Sequence, residues 1–355
     1  MYLKNLNPRI LSYIIFIIII LLFFPTISFS KIFKVKDIEI SEPFNANFKK
    51  ELVISKAFIK AFKELILTLS TSSDSNKFNN VKLKEVKFLV DSFTINNEKF
   101  LDKKYLANFD VNFNKSKILN FFEKKNVFPS VFKKQKFLTI IIYYDSEKDQ
   151  IYLYDKNPFY LEWNNIEKKF YQLEYILPEE DLYDLKVVNQ NIQNLEDFKF
   201  KEIIKKYDIN EYIISIFFKN KDKIRILSKI YFNDQMKIQN QTFNNVNELD
   251  KKTVENLINY NKLLFEDIWK KNNQINTSIK LPINLSISSK KRKKVINLEQ
   301  HLSQIDLVSD YKITSFDNNM INYKIIFNGT PGNFLNIMNE KQIKLNTDEQ
   351  TWKVE

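Results

Sequence analysis

The chain has 355 residues with a formal net charge of +12, 44% hydrophobic residues, 15% aromatics, no cysteine and only two glycines. That length and apolar content can fill several cores, which argues against general disorder. The lack of cysteine excludes disulfides, a thiol nucleophile, an iron–sulfur cluster and a thiolate zinc site, and two glycines are too few for Walker A or Rossmann phosphate loops.

Residues 1–30 open with Lys4 and Arg9 and no acid, run almost unbroken as apolar residues from Ile10 to Phe24, and end in Pro25 and the small-x-small triplet Ser28-Phe29-Ser30. That order is an export signal, and the run is shorter than the roughly 20 residues a membrane-spanning helix needs. The expectation is a cleaved signal peptide, with an uncleaved N-terminal anchor as the alternative. The rest of the chain then lies in the bacterial periplasm or on the periplasmic face of a membrane. No cysteine follows the run, so a lipoprotein anchor is excluded. No later segment reads as a membrane span; the longest apolar stretch, Phe137–Tyr144, has the length of a buried strand.

In the first module, residues 31–145, Lys31–Ile40 alternates as a strand. Phe48, Leu52, Ala57, Ala61, Phe62, Leu65, Ile66 and Leu69 then recur at helical spacing. Residues 71–80 read as a polar loop, Val81–Val90 as a short helix, Phe93–Ile95 and Tyr105–Phe113 as strands, Lys115–Lys125 as a helix and Phe137–Tyr144 as a strand. In the second, residues 146–275, the aromatic run Pro158–Trp163 reads as strand residues turned to the core, and a helix is expected near 195–206. Glu211–Phe218, Ile224–Phe232 and Met236–Phe243 look like an antiparallel meander. A helix over Asn247–Lys271 carries Val254, Leu257, Ile258, Leu263, Leu264, Ile268 and Trp269 on one side.

After a linker at 272–277, the third module (residues 276–355) runs strand, helix, a hairpin of Tyr311–Phe316 with Met320–Phe327, a helix over Phe334–Met338 and a last strand at Trp352. The fold expected is α+β: two or three small two-layer modules after the signal sequence, with ferredoxin-like βαββαβ order in the first and last.

Several segments together resemble an uncharacterised family of exported proteobacterial proteins, domain-of-unknown-function family twenty-sixty-six. They are SKAFIKAFKELILTLS (55–70), VDSFTINNEKFLDKKYLANFDVNFN (90–114), NPFYLEW (157–163), LPEEDLYDL (177–185), IIKKYDINEYIISIFF (203–218) and NYKIIFNGTPGNFLNIM (322–338). The family has no assigned activity. The resemblance implies export, α+β folding and residence in the cell envelope, and no catalytic residue.

Candidate chemistry is sparse. His301 is the only histidine, so neither a triad nor a histidine-based zinc site can be assembled. Glu179, Glu180, Asp181 and Asp184 form the densest acidic cluster. Asp181 and Asp184 are weak metal candidates, weighed against an acidic first turn after Pro178. Lys290, Lys291, Arg292, Lys293 and Lys294 form a basic run that could grip phosphates, anionic lipid or an acidic partner.

No catalytic residue, cofactor or nucleic-acid partner is expected. The leading expectation is a non-enzymatic binding or assembly module of the cell envelope, whose partner is another envelope protein or an envelope polymer. The alternatives are a carboxylate-based hydrolase or metal-dependent enzyme, and a peripheral binder of anionic lipid at a membrane surface. Mass spectrometry of the mature protein should find an N-terminus at Lys31; an intact Met1 would mean an anchor.

Overall fold

The computed structural model describes residues 32–355, so the export signal expected over residues 1–30 lies outside the described residues. The chain divides into two units, Ile32–Leu281 with Asn328–Thr330, and Pro282–Phe327 with Pro331–Glu355. Both mix helices with strands, as the α+β expectation requires.

The first unit begins with β1 (Ile32–Pro43), α1 (Lys50–Leu69), α2 (Leu83–Leu89), β2 (Val90–Leu101), β3 (Lys104–Asn114) and α3 (Lys115–Lys124). Strand β3 alternates strictly and turns Tyr105, Ala107, Phe109, Val111 and Phe113 into the core. Helix α1 covers that face with Val53, Ala57, Phe58, Ala61, Phe62, Leu65, Ile66 and Leu69. Segment 71–80, expected as a loop, holds two short helical turns, Ser72–Ser75 and Asn76–Phe78, the first capped by the Thr71 side chain.

The three strands pair antiparallel in the order β1-β3-β2. That is the ferredoxin-like order without its fourth strand. The strand expected to complete it, β4 (Gln135–Asp145), instead pairs parallel with β6 (Leu173–Ile176) and β7 (Tyr212–Asn220), and antiparallel with β5 (Gln150–Tyr152). With β8 (Lys223–Phe232) and β9 (Gln235–Phe243) these form a second sheet ordered β5-β4-β7-β8-β9. The reason lies in β4 itself: Phe137 to Tyr143 are buried without alternation, and only a sheet covered on both faces can shelter such a strand. The boundary expected at 145/146 therefore falls inside one sheet.

This second sheet is covered on both sides, giving three layers where two were expected. On one face α4 (Pro158–Trp163) and α6 (Lys251–Asn272) pack against Phe137, Ile141, Ile213 and Phe217. On the other, Val188 of α5 (Leu182–Gln190), Leu195, Phe200 and Ile203 pack against Ile140, Ile142, Ile214 and Ile216. The aromatic run 158–163, expected as strand, is helical because Asn157 accepts from the N–H groups of Phe159 and Tyr160 and Pro158 fills the first turn. Phe159 and Trp163, one turn apart, are fully buried.

Scarce glycine shows in the turns. The hairpins β2–β3 and β8–β9 close through Asp102-Lys103 and Asn233-Asp234, all at positive φ, and Asn and Asp tolerate that geometry best after glycine. It shows more consequentially at the end of α1, where no αL glycine closes the helix. Its last four carbonyls are each met by another group. Ile66 O accepts from Ser70 N and Oγ at 2.9 and 2.6 Å, and Leu67 O from Lys270 Nζ at 2.7 Å. Thr68 O accepts from Gln172 Nε2 at 2.9 Å, and Leu69 O from Ser130 N at 2.7 Å.

Lys270 in turn lies 3.5 Å from Glu266, both almost wholly buried on α6. Glu266 Oε1 accepts from the backbone N–H groups of Gln172 and Leu173 at 2.7 and 2.8 Å. The pair supplies to α1 the C-terminal cation its own last turn lacks.

In the second unit β10 (Leu281–Ser288), α7 (Arg292–Gln304), β11 (Val308–Phe316), β12 (Met320–Phe327), α8 (Pro331–Glu340) and β14 (Trp352–Val354) follow the order expected, with an unexpected short β13 (Leu345–Asn346) before the last strand. The sheet order is β11-β12-β10-β14-β13. Unlike the ferredoxin-like arrangement, β14 runs parallel to β10, because the chain leaving α8 first reverses through the short β13. No helix among the described residues is long and apolar enough to cross a membrane.

Equilibrium urea unfolding of Lys270→Ala should show a loss of about 3–5 kcal/mol, since it strands a buried carboxylate and a helix-end carbonyl. Adding Glu266→Gln should recover part of that loss; strict additivity would mean the two do not act as a pair.

Candidate functional site

The place beside β1 that a fourth strand would fill is occupied by a cleft of about 410 Å³, lined by Lys34 to Asp37 of β1, by Glu64 and Thr68 of α1, and by residues 132–134, Lys169, Tyr171 and Gln172. Its wall follows from the clasp that Ser130, Gln172 and Lys270 form on the last carbonyls of α1, because Thr68 and Gln172 belong to both. Phe33 and Phe132 pack 5.5 Å apart at the entrance of the chain into β4.

Five lysines line this cleft against two acids, Asp37 and Glu64. Three ammonium groups are engaged: Lys34 with Asp110 at 3.2 Å, Lys169 with the Asp37 carbonyl at 2.5 Å, and Lys134 with the Tyr171 carbonyl. Those of Lys36 and Lys133, both on exposed residues, have neither hydrogen-bond nor ion-pair partner among the described residues. Burial lifts the Glu64 carboxyl above its usual range, against the pull of Lys169 and Lys60. The positive balance of the cleft is thus greatest where Glu64 holds its proton.

The β1 edge is not bare. Asp37 takes a positive φ at a bulge between Val35 and Ile38. The carbonyls of Asp37 and Glu39 already accept from Lys169 and from Lys60, the latter at 2.9 Å. A ligand here meets side chains rather than a row of open backbone groups.

Lys134 and Tyr171 also line a second pocket of about 310 Å³. At its base Lys262 of α6 is 1% exposed. Its ammonium donates to the carbonyls of Trp163 and Ile166 at 2.7 and 2.8 Å and lies 4.7 Å from the Tyr175 ring centre. Burial pulls Lys262 down to about 8, opposed by Glu167 and Glu266. The Tyr175 hydroxyl, also lining this pocket, has no hydrogen-bond partner among the described residues.

None of these cleft residues stood out in the sequence. They come from distant segments of a lysine-rich chain, so no local spacing marks them. Lys262, Glu266 and Lys270 did leave a trace: they recur every four residues and fall in with the buried Val254 and Ile258. The apolar stripe assigned to this helix included Leu263, which is in fact 38% exposed.

The residues singled out from sequence lie elsewhere. Asp181 caps α5 by accepting from Tyr183 N–H at 2.7 Å, as an acidic helix start would. Lys206 Nζ sits between Asp181 and Asp184 at 2.5 and 2.6 Å; its two carboxylate bonds raise its pKa. A lysine ammonium thus holds the position a metal ion would need.

His301 lies half-buried on α7, its Nδ1 without a hydrogen-bond partner among the described residues. Among the described residues no three His, Asp or Glu side chains converge as a metal site. The basic run 290–294 is exposed and leads into the first turn of α7.

No protein-family model matches the chain, and no curated protein matches it.

The Lys262 shift fixes a pH dependence. Below pH 8 the folded and unfolded chains both hold this proton, and the cost of burying the charge is fully present. Between about 8 and the ordinary 10.5 the unfolded chain holds more protons, so stability rises with pH. Relative to Lys262→Met, the wild-type chain should gain about 2–3 kcal/mol from pH 7 to pH 10 by urea unfolding. A constant gap between the two would contradict the assignment.

Proposed function

We propose that this chain is a non-enzymatic binding module of the bacterial cell envelope, exported by residues 1–30. In this reading the cleft beside β1 holds an acidic segment of another envelope protein or an anionic envelope polymer. The observation that carries it is the lysine lining of that cleft, where the ammonium groups of Lys36 and Lys133 have no hydrogen-bond or ion-pair partner among the described residues, though Lys36 also acts at longer range on Asp110. Apolar walls from Phe132 and Tyr171 surround these charges, a combination suited to an extended acidic chain with some apolar character.

The β1 edge supports capture through side chains, since Lys60 and Lys169 already hold two of its carbonyls. The resemblance of the segments quoted above to an exported family without assigned activity supports the envelope placement, as does the signal-like composition of residues 1–30. The hydrolase alternative around Asp181 and Asp184 is weakened by Lys206, whose ammonium bridges both carboxylates.

A fluorescein-labelled glutamate-rich peptide, followed by anisotropy, tests the reading. Binding should weaken as salt is raised. The double reversal Lys36→Glu with Lys133→Glu should weaken it by at least about tenfold, while the exposed Lys223→Glu, far along the chain, should not. Equal loss in all variants, or turnover of an envelope polymer by the purified chain, would sink the proposal.

A further inference from the structure

The second unit presents a different surface, at the end of its sheet where β10 leaves for α7. Five consecutive residues there, Lys290 to Lys294, are basic and exposed. Ser289 N–H donates to the Asn319 carbonyl at 2.9 Å, so this run starts beside the tip of the β11–β12 hairpin. The tip is closed by Asp317 N–H donating to Met320 O at 2.9 Å. Immediately before it stands Phe316, 69% exposed, with Ile313 on the same strand 51% exposed.

In helix α7, Ile296 is 55% exposed and lies one turn on from Arg292 and Lys293, on their side of the helix. The Ser289–Asn319 bond thus brings the basic segment beside a hairpin tip that carries a large unburied aromatic.

Lys294 Nζ is tied to Glu355 O at 2.7 Å, but the rest of this arrangement has no such role in the fold. The first turn of α7 has basic residues and no acid, which opposes the helix dipole. Phe316 and Ile313 pair with the buried Ile321 and Tyr323, yet they extend beyond the cover that shelters those partners. Residues that break a local rule without a structural return mark a working surface. Basic charge beside exposed aromatic and aliphatic groups is the composition that partitions into an anionic lipid interface.

We infer that this end of the second unit docks on an anionic lipid bilayer, with residues 290–294 meeting the headgroups and Phe316 entering the interface at the hairpin tip. The inference stands apart from the cleft reading and shares no residue with it. Each basic residue at such a surface contributes roughly a fivefold gain in partition, so the run as a whole can supply on the order of a thousandfold. The chemistry fits phospholipid phosphates backed by a hydrocarbon layer; a soluble polyanion offers the charge and nothing for Phe316.

The absence of cysteine gives a local reporter. Asn318→Cys, exposed at the tip, can carry an environment-sensitive fluorophore as the single label on the full chain, so that any membrane contact of residues 10–24 does not enter the signal. With vesicles of phosphatidylglycerol and phosphatidylcholine the emission should shift to the blue, and with phosphatidylcholine alone it should not. Replacing Lys290, Lys291, Arg292, Lys293 and Lys294 with Gln should weaken the response roughly a hundredfold or more, and Phe316→Ser should reduce the shift at saturating lipid. An absent shift, an equal shift with neutral vesicles, or an intact shift in either variant overturns the inference. So does an equal shift with dextran sulfate, which would make the surface a general polyanion site.

Discussion

The first unit depends on closing α1 without a glycine. An α-helix ends with four carbonyls that find no partner within it, and a buried carbonyl left unmet costs about 1–3 kcal/mol. In α1 three of the four are met from far along the chain, by Ser130, Gln172 and Lys270. The helix end is therefore complete only when the segment entering β4, the start of β6 and the last turns of α6 are all in place. That makes Ile32–Leu281 one unit although it contains two sheets. The buried Glu266–Lys270 pair adds little net attraction once both charges have lost their water. Its role is to fix which turn of α6 faces which carbonyl of α1.

The cleft follows from the same constraint. Once β4 is drawn into the sheet that can cover both its faces, β1 keeps an open flank, and the clasp holds Thr68 and Gln172 along it. The lysines then converge from β1, from the approach to β4 and from the stretch before β6. Charge collects there because the fold leaves room, and the exposed Lys36 and Lys133 have no hydrogen-bond or ion-pair partner for their ammonium groups among the described residues.

Much of the architecture was legible in residue patterns, for particular reasons. Strand β3 and helix α1 each bury one face, so alternation and helical spacing mark them plainly. The acids after Pro178 marked a helix start, and Asp181 caps one. The partner of β4 was not legible, since a strand apolar on both faces names no sheet. The run 158–163 misled because its aromatics suggest a strand, while the capping power of Asn157 and the position of Pro158 decide for a helix. In α6 the apolar residues were weighted above Lys262, Glu266 and Lys270, whose buried side chains find backbone carbonyl or N–H partners in three other segments. Such partners have no signature in local sequence. The basic run 290–294 was plain in the sequence, whereas its place beside Phe316 needed the Ser289–Asn319 hydrogen bond to be seen.

A half-finished sheet is ordinarily an invitation to its own kind: copies of the same chain can add strand to strand and grow into fibres. Here Lys60 and Lys169 stopper the carbonyls of Glu39 and Asp37, and the bulge at Asp37 twists the row out of line. The missing strand therefore leaves a recess whose backbone row is partly closed to strand addition by a second copy.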